Sequence, residues 1–118
     1  MVQKGTATRE RIVGHALALA SVDGLEALSL GDLASEVGMS KSGLFAHFRS
    51  KEALQVDVLN AAVEIFRRTV IIPALKEPRG EPRVRALFTR WIEWEKNDRM
   101  PGGCVFVQAA FEWDDRSG

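Results

Sequence analysis

Between Leu30 and Phe48 lie two short apolar stripes divided only by Gly38, Met39 and Ser40. Leu30, Leu33, Ala34 and Val37 recur at helical spacing, and Leu44 and Phe48 stand four apart on one side of the second segment. A helix this short does not hold together alone in water. The two segments therefore need a shared core, and Gly38 permits the tight, positive-φ turn that folds one against the other. A helix, a short glycine-containing turn and a second short helix make a helix-turn-helix.

The flanking sequence is also helical. Ile12, Ala16, Leu19 and Ala20 form one stripe, with Thr8 as its expected cap and Asp23-Gly24 as its stop. Ser29, Ser40 and Ser50 each stand at an expected helix start. Leu54, Val58, Ala61, Ala62, Ile65 and Phe66 give a fourth helix its inner face, and Pro73 is expected to break it near Ile72. A loop with three prolines, PALKEPRGEP, leads to a fifth helix beginning at Pro82. Val84, Leu87, Phe88, Trp91 and Ile92 are its expected apolar face, with Trp94 at the edge. NDRMPGG ends it, and Cys104 to Trp113 reads as a sixth, buried helix, although CVFV alone suits a strand equally well. The fold class is all-α.

The chain of 118 residues is 46% apolar and 27% charged, enough for one domain with a core. No apolar run approaches the roughly 20 residues needed to span a bilayer, so no membrane partner is expected. The opening MVQKGTATRER lacks the apolar core of a signal peptide, and the one cysteine, Cys104, excludes an internal disulfide. A cytoplasmic location is expected. Sixteen basic residues balance sixteen acidic ones, so charge distribution matters more than the total. From Val37 to Lys51 there are Lys41, Arg49, Lys51 and His47 but no acid, and Lys4, Arg9 and Arg11 are opposed only by Glu10.

The side of the second short helix opposite Leu44 and Phe48 carries Lys41, Ser42, Gly43 and His47. These are small or hydrogen-bonding groups, suited to close approach to base edges and phosphates. Gly43 costs roughly 1 kcal/mol inside a helix relative to Ala, and close backbone approach to a surface is one compensation. The free amides at the three serine-capped starts attract phosphate oxygens.

The stretch SLGDLASEVGMSKSGLFAHFRSKEAL resembles the signature of the tetracycline-repressor-like (TetR) family of bacterial transcription regulators. The resemblance rests on Leu33-Ala34, Val37-Gly38, Ser40, Gly43-Leu44-Phe45, His47-Phe48 and Ser50 to Leu54, and is specific from Thr8 to Leu59. PGGCVFVQAAFEWDD is similar to the sixth-helix region of one branch of that family. The resemblance implies a three-helix DNA-binding head, residues 1–50, joined by a long fourth helix to a partial effector-binding and dimerisation domain, residues 51–118. It implies a homodimeric regulator, a repressor in the leading reading, on a palindromic duplex operator, controlled by a small apolar effector, with no cofactor. Carried over by position, Lys41, Ser42 and Gly43 face bases, while Ser40, Phe45, His47 and Lys51 lie against the backbone; Ser29 joins this DNA-binding set. The family often has Tyr where this chain has Phe45. Such regulators usually carry further helices, so the chain is expected to be a fragment or a shortened relative.

Phe88, Trp91, Trp94 and Phe106 have two readings, an apolar effector pocket or ordinary core packing. His15 reads as structural, and Cys104 as a small buried hydrophobe or a redox sensor. Arg67, Arg68, Arg83, Arg85 and Arg90 read as a solvated face, and Glu112, Asp114 and Asp115 as a solvated helix end. The dispersed histidines and cysteine make no zinc site, and no nucleophile has a base and an orienting carboxylate, so no enzyme is expected. The alternatives are a helical ligand-binding or protein-interaction module without specific DNA binding, or a nonfunctional fragment.

Overall fold

The stripe of Ile12, Ala16 and Ala20 runs buried down one side of α1 (Lys4–Asp23) in the computed structural model, which describes residues 4–114. Asp115 and the side chain of Lys4 lie outside the described residues. The helix starts before Thr8, which is an interior residue and not the cap. His15 is exposed, contrary to its expected structural place. Gly24 stops the helix with φ 89°, its amide donating to Ala20 O at 2.8 Å.

Three serines then start three helices. Ser29 Oγ accepts from Asp32 N at 3.2 Å and opens α2 (Leu30–Val37); Ser40 Oγ accepts from Gly43 N at 3.0 Å and opens α3 (Lys41–Phe48); Ser50 Oγ accepts from Ala53 N at 3.0 Å and opens α4 (Lys51–Phe66). Gly38, at φ 74°, closes α2, while Met39 N donates to Ala34 O at 2.8 Å. Leu33, Ala34, Val37, Leu44, Phe48, Leu54, Val58 and Ala62 join the α1 stripe in one core.

The fourth helix does not stop at Pro73. It passes through a π turn (Arg67–Ile71) and continues as α5 (Ile72–Leu75). Ile72 N donates five residues back, to Arg67 O. Proline in an ordinary helix clashes with the carbonyl four residues earlier and lacks a donor. A wide turn just before it loosens the backbone there. Arg67 donates to both carboxylate oxygens of Glu64, at 2.8 and 3.0 Å, and this hydrogen bonding holds the exposed Glu64 below the usual carboxylate range.

α6 (Glu81–Glu95) is turned differently from expectation. Val84, Leu87, Phe88, Trp91 and Ile92 are exposed, while Trp94, expected at the edge, is 2% exposed. The reason lies in the partners of Trp94. Its indole stacks on Phe106 at 5.6 Å and meets Phe66 edge-on at 5.1 Å, while Nε1 donates to Cys104 Sγ at 3.3 Å. A large aromatic with three such contacts decides which side of the helix faces in. Cys104 is buried beside it, and α7 (Val105–Trp113) follows as a helix, not a strand.

α7 and the loop before it seal against the foot of α1. Gly102 N donates to Ser21 Oγ and Gln108 Nε2 to Ser21 O, both at 3.0 Å. Glu112 accepts from the amides of Leu25 and Glu26, each at 2.8 Å. A single core cluster accordingly runs from Ile12 to Val105, across the boundary expected at residue 50.

Trp94→Ala should lower unfolding free energy by roughly 3–5 kcal/mol, the usual cost of emptying a buried aromatic site. Trp91→Ala should stay within about 1 kcal/mol, as for a surface change. Urea denaturation of both variants checks this; comparable losses would mean that α6 presents its other side to the core.

Candidate nucleic-acid interface

The helix-turn-helix is held from inside by Leu44 and Phe48, both buried. With those two side chains turned inward, the rest of α3 faces out. Lys41 and Ser42 are exposed, Phe45 is 51% exposed, and Gly43 and His47 are half-buried. Three or four residues separate Lys41 and Ser42 from Phe45, so they share one surface. Ala46 and Arg49, which were not among the expected DNA-contact residues, are also exposed. Arg49 ends α3 at φ 63°, the one described non-glycine residue in that region.

The three capping hydroxyls are already engaged by their own helices. Ser40 Oγ also lies 3.3 Å from Ser42 Oγ, so the start of α3 presents a pair of linked hydroxyls. Gly43 has a second reason to be glycine. A Cβ there would sit 3.0 Å from Ser40 Oγ and crowd the cap. Lys51 is placed less openly than its neighbours. Its ammonium donates to Glu26 O and lies 3.7 Å from the Glu26 carboxylate. Gln55, buried one turn later, donates to Leu25 O at 2.9 Å. The start of α4 is thus tied to the α1–α2 loop.

The sequence also missed Arg9. It donates to His47 O at 2.6 Å, pairs with Asp57 on α4 and lies 4.8 Å from the centre of the Phe48 ring. Nothing local could have found this, since Asp57 is 48 residues away.

The four aromatic residues assigned to an effector pocket are not brought together. Trp94 and Phe106 stack in the core, while Phe88 is 62% and Trp91 41% exposed on α6. Among the described residues no group of three or more His, Cys, Asp or Glu side chains is placed to hold a metal ion, and no helix is long and apolar enough to cross a membrane.

This arrangement recurs in known proteins. The family described as bacterial regulatory proteins, tetR family, matches residues 12–58, and the tetracyclin repressor-like C-terminal domain matches residues 80–118. The chain belongs to the TetR family of transcriptional regulators. A TetR transcriptional regulator from Chloroflexus aurantiacus J-10-FL superposes with a TM-score of 0.80 at 28% identity, over 99% of this chain and 59% of that one. The HTH-type transcriptional regulator YjdC of Escherichia coli (strain K12) is 27% identical over 110 residues, 91% of this chain and 56% of that protein. The uncharacterized HTH-type transcriptional regulator YerO of Bacillus subtilis (strain 168) is 41% identical over 46 residues, 39% of this chain and 16% of that protein. The chain thus spans little more than half the length of the relatives it matches most fully. Residues 12–58, the part that matches the tetR family model, contain the helix-turn-helix of α2 and α3.

Ser40→Ala should cost about 1 kcal/mol of stability through the lost cap. Combined with Gly43→Ala it should be non-additive by about 0.5 kcal/mol or more, because the added methyl collides with the hydroxyl that the first change removes. Chemical denaturation of the single and double variants tests this, and simple additivity would remove the steric link.

Proposed function

We propose that this regulator reads duplex operator DNA with α3 in the major groove and acts as a repressor. Lys41, Ser42, Gly43 and His47 meet base edges; Ser29, Ser40, Phe45 and Lys51 set the head against the phosphate and sugar backbone. The observation that carries this reading is the division of α3: Leu44 and Phe48 are buried while Lys41, Ser42 and Phe45 are exposed on the other side. Phe45 packs on sugar or a thymine methyl, which needs no hydroxyl. Residues 1–50 form the reading head, and residues 51–118 belong to the part that pairs subunits and binds an effector.

The active form is a cytoplasmic homodimer on a palindromic site, with the two heads about 34 Å apart, one turn of DNA. A single head has few phosphate contacts, and each removed contact lowers the salt slope by about 0.9. A small apolar effector bound within residues 51–118 shifts the spacing of the heads. The protein acts by binding and not by catalysis. The exposed apolar stripe of α6 favours a second reading, a protein-interaction module without specific DNA binding.

Fluorescence anisotropy with duplex DNA at two salt concentrations separates them. Salt-dependent binding with preference for a duplex selected from a random pool supports the regulator; its absence supports the interaction module. Lys41→Ala should cost roughly 1–3 kcal/mol on the selected duplex and little on random DNA. Lys51→Ala should weaken both equally and lower the salt slope by about 0.9. An unchanged slope would assign Lys51 wholly to the α1–α2 loop, where Glu26 holds it.

A further inference from the structure

Two arginines of α1 reach the carbonyl ends of the helix-turn-helix pair. Arg11 donates to Val37 O, the last residue of α2, at 3.4 Å. Arg9 donates to His47 O in the last turn of α3 at 2.6 Å. The same guanidinium covers the Phe48 ring at 4.8 Å and pairs with Asp57 on α4. One planar group therefore holds an α3 carbonyl, an α3 ring and an α4 carboxylate together.

We propose that Arg9 is a positioning residue for DNA readout. It sets the angle of α3 against α1 and α4, so that Lys41, Ser42 and His47 meet the bases together. This rests on the reading of α3 as the helix that enters the groove.

The need for such a brace follows from the length of α3, eight residues. Its start is fixed by the Ser40 cap and by the bond from Met39 N to Ala34 O. Its other end relies on the burial of Leu44 and Phe48. Apolar burial is non-directional; it fixes depth better than rotation. A guanidinium fork is directional and rigid. The carbonyl end of a helix also carries partial negative charge, which a cation there stabilises. Moreover, α3 ends on Arg49 in the left-handed region, a conformation disfavoured for a side chain of this kind. The bond from Arg9 holds the turn that leads into it.

Arg9 is placed to brace, with 43% of its side chain left exposed. Asp57 balances its charge, and its ring-facing side lies against Phe48.

The test uses the full 118-residue chain, a duplex selected from a random pool by the wild type, and a random-sequence duplex of equal length. Arg9→Met keeps an apolar side chain over Phe48 but removes the fork. Affinity for the selected duplex should fall about tenfold or more, the scale of a lost base contact. Binding to random DNA should change less than about twofold, and the salt slope should be unchanged, since no phosphate contact is lost. Asp57→Asn should move the same ratio in the same direction by less. Amide hydrogen exchange should quicken from Leu44 to Phe48 while α2 keeps its protection.

Equal weakening on both duplexes, with a slope lower by about 0.9, would make Arg9 a phosphate contact and overturn the proposal. Unchanged preference or unchanged α3 protection would also overturn it, leaving the DNA reading intact. A wild type with no preferred duplex would sink the DNA reading itself. If Arg9→Met does not fold, Arg9→Lys, which keeps a cation near Asp57 without the fork, takes its place with the same expected split.

Discussion

An eight-residue helix has no independent existence in water, and α3 is one. It forms because Leu44 and Phe48 sink into a core lined by Ile12, Leu33, Val37 and Leu54. Everything outward on α3 follows from that anchoring. Reversing the helix by half a turn would bury Lys41 and Ser42 and expose two large apolar groups, a change that burial energetics forbid. Exposure of the polar face is therefore a by-product of core packing. The chemistry that α3 offers outward is whatever the sequence places opposite those two residues.

Much of the head was legible because its determinants are local. A serine three residues before the amide it accepts from, or a glycine where φ turns positive, acts within one turn of chain. The caps at Ser29, Ser40 and Ser50 and the stops at Gly24 and Gly38 are of this kind. What stayed hidden depends on distant partners. Arg9 finds Asp57 across 48 residues, and Glu112 finds Leu25 across 87. The pairing of Lys51 with Glu26 was hidden in the same way, because only the fold brings the two together.

The misjudged orientation of α6 has the same origin. Its sequence carries an apolar stripe from Val84 to Ile92, and also Trp94 off that stripe. Periodicity identifies a helix with an apolar side but not what that side will meet. Phe66 and Phe106 claim Trp94, and the stripe is left facing outward. Likewise Pro73 read as a full stop, yet the π turn before it lets the helix continue to Leu75.

The seam between Gly102 and α1 leaves no room for adjustment. A methyl group on Gly102 would lie 2.0 Å from Ser21 O, so backbone rests directly on backbone. The Ser21 hydroxyl and the Gln108 amide close the same seam from either side. Glu112 of α7 holds the amides of Leu25 and Glu26, and the carbonyls of the same two residues hold Gln55 and Lys51, so α7 and the first turn of α4 grip one short loop from opposite sides of its peptide groups.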